Sequence, residues 1–146
     1  MRVSLAIQVC PRVEVSVDEG RLTCLAEEAL RLEGVAQLCE LGLYITDDEE
    51  IRELSRQYRE VDEATDVLAF GEKAEGFVMP EGYETLGEIV ISYTRAVAQA
   101  REAGHSVEEE VELLFVHGVL HLLGYDDQAP EERARMWARQ EEILGK

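Results

Sequence analysis

Two histidines four residues apart, His117 and His121, are the pair in this sequence best suited to chemistry. In an α-helix that spacing sets both imidazoles on one face, about 6 Å apart along the axis, near enough to share a metal ion. Gly124 is placed to stop such a helix, and Asp127 follows where a returning chain can bring a carboxylate to the same ion. The resulting pattern, H-x3-H-x2-G-x2-D, has the spacing of the metzincin zinc motif with aspartate in the third ligand position. Three protein ligands leave a coordination position open for water, as in catalytic zinc sites and unlike closed structural ones. Each residue alone has a plainer reading: a histidine on an apolar helix is commonly a hydrogen-bonded core residue, and an aspartate after a helix a turn former. Taken together, directly before a helix-ending glycine, His117, His121 and Asp127 are expected to hold one divalent metal, zinc first. Asp126 is an alternative carboxylate. His105, between Gly104 and Ser106, reads as a cap or surface residue.

The residue after the first histidine bears on the reaction. Zinc peptidases of this spacing carry a glutamate there as the general base, and this chain has Gly118. A peptidase would lack its base. A metal that activates water and polarises a phosphoryl oxygen suits phosphodiester hydrolysis without that glutamate.

The elements that must position these residues alternate between strand and helix. Val3, Leu5, Ile7 and Val9 have the period of a half-buried strand. Asp18 can cap a helix with apolar positions Leu22, Leu25, Ala26, Ala29 and Leu30, ended by Gly34. Leu41, Leu43 and Ile45 form a second alternating run, and Thr46 and Asp47 can open a helix that buries Ile51, Leu54 and Tyr58. Val67 to Phe70 and Gly87 to Ile91 read as short strands about a Gly- and Glu-rich loop, 71–85. Ser92 or Thr94 opens a helix to Ala103. Ser106 and Glu109 then form a capping box at the head of the histidine helix, whose core face is Val111, Leu114, Phe115, Gly118 and Leu122. Pro130 suits the first turn of a last helix that turns Met136, Ile143 and Leu144 inward. This order predicts an α+β fold, a small mixed sheet covered by helices, over one domain spanning 1–146.

The composition narrows the partners. A net charge of −18 and pI near 4.4 argue against broad electrostatic binding to nucleic acid, so contact with RNA must be local and no binding to DNA is expected. Arginine outnumbers lysine, which occurs only at Lys73 and Lys146, and arginine is the better residue for bidentate phosphate contacts. Cys10, Cys24 and Cys39 show no CxxC spacing and suggest neither disulfides nor a thiolate zinc site. With no secretion signal and no long apolar run, a reduced cytoplasmic location away from membranes is expected.

The segment HGVLHLLGYDD, 117–127, resembles the H-G-x-L-H-L-x-G-Y-D-H signature of the YbeY family of rRNA-maturation endoribonucleases. Tyr58-Arg59, Asp62, Thr65-Asp66-Val67-Leu68 and Phe70 match that family's Y-R-x-x-D-x-x-T-D-V-L-x-F element, and Leu86 to Ser92, with Glu88, matches L-G-D-I-x-I-S. The resemblance runs from about Leu41 to the end of the chain. It implies a zincin-like metallohydrolase architecture, one zinc per chain, cleavage of single-stranded RNA, and roles in 16S rRNA 3′-end maturation and ribosome quality control. Partners would be rRNA and the small ribosomal subunit or its assembly factors. It also implies that Arg59, with His117, belongs to the catalytic machinery, the guanidinium clamping a phosphate. Read without the resemblance, Arg59 is a helix-surface residue paired with Glu60 or Asp62. The chain departs from the signature at Asp127, where the family has histidine; a carboxylate binds zinc and also favours harder ions such as manganese. Asp62, Asp66 and Glu88 are candidates for proton transfer or, equally, turn and capping residues. Two other readings stand beside this one: a zinc peptidase or amidase, and a non-catalytic assembly factor with a structural metal.

Overall fold

The computed structural model describes residues 3–35, 38–59, 65–70, 83–125 and 129–145, with only the backbone described at 58, 59 and 83–85. The elements, in chain order, are β1 (Val3–Val9), α1 (Glu19–Leu32), β2 (Leu38–Thr46), α2 (Asp48–Arg59), β3 (Val67–Phe70), β4 (Tyr83–Ser92), α3 (Tyr93–Ala103), α4 (Val107–Leu122) and α5 (Pro130–Leu144). The sheet order is β1-β2-β4-β3. β1 and β4 both run parallel to β2, and β3 returns antiparallel to β4. This is the expected mixed sheet of an α+β fold.

Alternation along the central strands divides the core in two. Leu41, Leu43 and Ile45 of β2, with Ile89 and Ile91 of β4, join a large cluster with Leu25 and Leu30 of α1, Phe115 and Val119 of α4, and Met136 of α5. Val90 belongs to a smaller cluster with Ile51 of α2 and Leu68 of β3, against which Tyr44 packs. Helix α4 is buried on most of its circumference, as its long apolar run requires, because α1, α3, α5 and the sheet all pack on it.

Most helix ends follow the local chemistry of the sequence. Asp18 accepts from the Arg21 amide at 3.0 Å, and Ser92, rather than Thr94, caps α3. The capping box of α4 is complete: Glu109 N–H donates to Ser106 Oγ at 3.1 Å, and Ser106 N–H to Glu109 Oε1 at 3.3 Å. Two strands start earlier than periodicity suggests. β2 begins at Leu38 and β4 at Tyr83, so 83–85 belong to the strand rather than to the loop. A register shift opposite Glu40/Leu41 leaves Leu86 as an extra residue and breaks the two-residue period by which the strand would be recognised. Among the described residues no helix is long and apolar enough to cross a membrane.

Candidate metal centre

The histidines stand where α4 leaves the core. His117 and His121 are both part-buried, with ring centroids 4.8 Å apart and planes at 80°. One face of one helix therefore carries both imidazoles. Each ring is held through its Nδ1. His121 Nδ1 lies 3.0 Å from the backbone carbonyl oxygen of Tyr125, which can only accept, so Nδ1 carries the proton. His117 Nδ1 lies 3.1 Å from Oε1 of Gln140 on α5 and donates to it in the same way. Both rings are thus set in the tautomer whose acceptor lone pair is on Nε2, the arrangement in which a metal-binding imidazole is oriented by an oxygen behind it.

The turn that ends α4 supplies one of those oxygens. Tyr125 N–H donates to the Leu120 carbonyl and Gly124 N–H to that of His121, both at 3.0 Å, which is the double closure of a Schellman turn. Gly124 has φ +107°, a conformation that a side chain would strain. The turn is anchored from outside as well: Tyr125 Oη donates to Glu33 Oε2 at 2.9 Å, and Arg139 of α5 pairs with the same carboxylate oxygen at 2.8 Å. This pins the turn between α1 and α5. Gln140 is 1% exposed, and among the described residues its Nε2 has no hydrogen-bond partner.

Position 118 is closed by packing. A Cβ built on Gly118 would lie 2.9 Å from Cγ2 of Ile89 and 3.1 Å from two further atoms of that side chain, which is wholly buried on β4. The residue after the first histidine therefore faces the sheet at contact distance, and a glutamate there would collide with the core. The absence of a peptidase base is built into the helix–sheet packing.

A cleft of about 460 Å³ opens beside His117, lined also by Asp66, Gln99, His105, Glu110 and Trp137. His105 is not a bare surface residue: its Nε2 lies 2.6 Å from Oε1 of Glu110, itself only 5% exposed. Asp66 accepts from Gln99 Nε2 at 3.2 Å. Of the carboxylates considered from sequence, Asp66 shares this cleft, whereas Glu88 does not join it. Strand alternation puts Glu88 on the face opposite Ile89, away from α4. Arg56 pairs with Glu53 along the exposed side of α2. Asp127, Asp126, Asp62 and Glu60 lie outside the described residues, and for Arg59 only the backbone, at the end of α2, is described. Among the described residues no three His, Cys, Asp or Glu side chains converge as a metal-binding group. The donor chemistry of the two imidazoles, with Nδ1–H satisfied and the lone pair on Nε2, fits a divalent metal.

Comparison with known proteins agrees in family and fold. The family model described as Endoribonuclease YbeY matches residues 11–146. A relative of that name from Roseiflexus sp. (strain RS-1) is 47% identical over 142 residues, covering 94% of this chain and 89% of the relative. Another, from Pelotomaculum thermopropionicum, is 49% identical over 138 residues, covering 91% and 90%. A third, from Aquifex aeolicus, is 50% identical over 131 residues, covering 89% and 84%. The solution structure of TM1509 from Thermotoga maritima superposes with a TM-score of 0.58 at 25% identity, covering 97% of this chain and 90% of that one. The chain belongs to the endoribonuclease YbeY family.

Proposed function

We propose that the chain is a single-strand-specific, metal-dependent endoribonuclease acting in 16S rRNA 3′-end maturation and ribosome quality control. Family membership makes it an endoribonuclease, a hydrolase of RNA phosphodiester bonds. The observation that supports the metal dependence is the histidine pair, with ring centroids 4.8 Å apart and both Nδ1 atoms bonded to oxygen, the orientation by which an imidazole presents Nε2 to a metal. In this reading His117, His121 and Asp127 are the ligands of one zinc per chain, with other divalent transition metals acceptable because Asp127 supplies a carboxylate. A metal held there would supply Lewis acidity toward water and toward a phosphoryl oxygen. The protein holds the two rings rigid through Gln140 and the Tyr125 carbonyl, so that the site does not reorganise as charge develops. Arg59 clamps the scissile phosphate.

RNA docks through local contacts, since a net charge of −18 repels the phosphate backbone elsewhere. The small ribosomal subunit or its assembly factors supply the remaining affinity, and the work is done in the cytoplasm. The closed packing at Gly118 speaks against a peptidase.

The test is elemental analysis of purified protein paired with cleavage of single-stranded RNA, with and without chelator. About one equivalent of zinc and cleavage abolished by chelation are expected. Metal-free protein that still cleaves RNA would refute the assignment. For the third ligand, Asp127→Ala is expected to weaken zinc binding at least about tenfold by calorimetry, and unchanged affinity would remove Asp127 from the set.

A further inference from the structure

The cleft beside His117 combines an aromatic wall with an anionic one. Trp137 lies on α5 one turn before Gln140, and it remains 43% exposed where it lines the cleft, although Met136 and Gln140 on the same helix are buried. Asp66, Glu102 and Glu110 line the cleft as well, and among the described residues no arginine or lysine does. Its volume of about 460 Å³ suits a nucleotide-sized ligand.

These features select one part of an RNA strand. A phosphate is repelled by three carboxylates. A nucleobase is uncharged, can stack on an indole face, and in single-stranded RNA has its pairing edge open. Carboxylates only accept hydrogen bonds, so the edge they favour is one that donates. Cytosine offers an exocyclic N4 amine, for which Asp and Glu are the matching acceptors. Uracil, of the same ring size, offers only an N3–H flanked by two carbonyl oxygens, which carboxylates repel. Asp66 and Glu110 are held in place by Gln99 at 3.2 Å and His105 at 2.6 Å, so they are fixed rather than adaptable acceptors.

We propose that this cleft is a subsite for one unpaired, amino-bearing base of the substrate, cytosine before uracil, stacked on Trp137 with its amine donating to one of the lining carboxylates, Asp66, Glu102 or Glu110. The proposal rests on the endoribonuclease reading and adds which part of the strand enters beside His117. With the base seated there, the adjoining phosphodiester lies toward the histidine pair.

Trp137 is the only tryptophan in the chain, so its fluorescence reports on the subsite directly. The metal-replete full chain is titrated with cleavage-resistant 2′-O-methyl oligocytidylate and oligouridylate of equal length. Saturable quenching is expected, with a dissociation constant for the cytidylate at least about fivefold lower. In cleavage assays on cytidine-containing RNA, Trp137→Ala is expected to raise KM about 5- to 150-fold with little change in kcat, and Trp137→Phe to restore most of the loss. Absent quenching, equal constants for the two oligomers, or an unchanged KM in Trp137→Ala overturns the subsite. Cleavage by the unsubstituted protein reads the underlying assignment separately. A chain that cleaves without quenching keeps its reaction and loses the subsite, and one that quenches without cleaving does the reverse.

Discussion

Replacing Gly118 with alanine adds one methyl group where α4 packs against Ile89 of β4. That methyl would sit 2.9 Å from Ile89 Cγ2 and 3.1 Å from Cδ1 and Cγ1. Cγ2 is attached directly to a β-branched carbon, so it cannot swing aside as the end of a long side chain can. Overpacking of this kind costs about 1–3 kcal/mol. Alanine also gains up to about 1 kcal/mol over glycine inside a helix. With the full helix gain the net loss is up to about 2 kcal/mol, which for a chain of this length lowers the melting temperature by up to about 8 °C. Calorimetric melts of the two proteins measure it. A double-mutant cycle localises it: Ile89→Ala alone removes core volume and costs about 2–5 kcal/mol, whereas in the double variant the new methyl takes up part of the vacated space. The two substitutions should therefore compensate by at least about 0.5 kcal/mol. Because position 118 adjoins His117, NMR of the His117 ring should also detect a displaced hydrogen bond to Gln140 in the single variant. If Gly118→Ala melts higher than the parent, helix propensity has outweighed the contact. The contention that packing forbids a glutamate at this position is then wrong.

Other perturbations bear on the site and on the junction of β2 with α2. Gln140→Ala removes the oxygen behind His117 Nδ1 and should weaken divalent metal binding by about 10- to 100-fold in a competition titration; unchanged binding would mean that the ring is held by other contacts. Hydrogen bonds from Thr46 and Tyr44 hold the Glu50 carboxyl below its ordinary value, and one from Arg12 does the same for Asp47. Depressed carboxylates contribute stability that is present above their unfolded pKa values and lost as pH falls through the folded ones. Melting temperature should therefore drop below about pH 4.5, and Glu50→Gln should flatten that slope; an unaltered slope would exclude Glu50. The same hydrogen bond to Glu50, with burial second, pushes the Tyr44 hydroxyl up to about 12. Its contribution is present below the ordinary tyrosine range and lost as pH rises through about 12. A tyrosinate absorbance titration should show one late-titrating tyrosine that Tyr44→Phe removes.

What could be read along the chain and what could not divides by distance. The capping box at Ser106 and Glu109, the cap at Asp18 and the histidine pair all depend on partners within four residues, and spacing alone exposes them, whereas it narrows the cap of α3 only to Ser92 or Thr94. Gln140 lies 23 residues from the imidazole it supports, on another helix, and no local pattern joins them. His105 reads as a cap or surface residue because its partner, Glu110, is buried only once α4 has packed. Trp137 carried no signal for the opposite reason, since its exposure departs from what its residue type suggests. The early start of β4 was hidden by the extra residue at Leu86, which shifts the alternation by one. Gly118 was legible as a missing base, but only the contact with Ile89 gives the physical reason.

The Schellman turn after α4 also bears on how this segment can change in length. The carbonyl that holds His121 belongs to Tyr125, the same residue whose amide closes the helix onto Leu120. An insertion or deletion of one residue between 121 and 125 would therefore break the helix end and release the ring in a single event. The spacing from the second histidine to that tyrosine is therefore fixed by backbone geometry before any ligand chemistry acts on it.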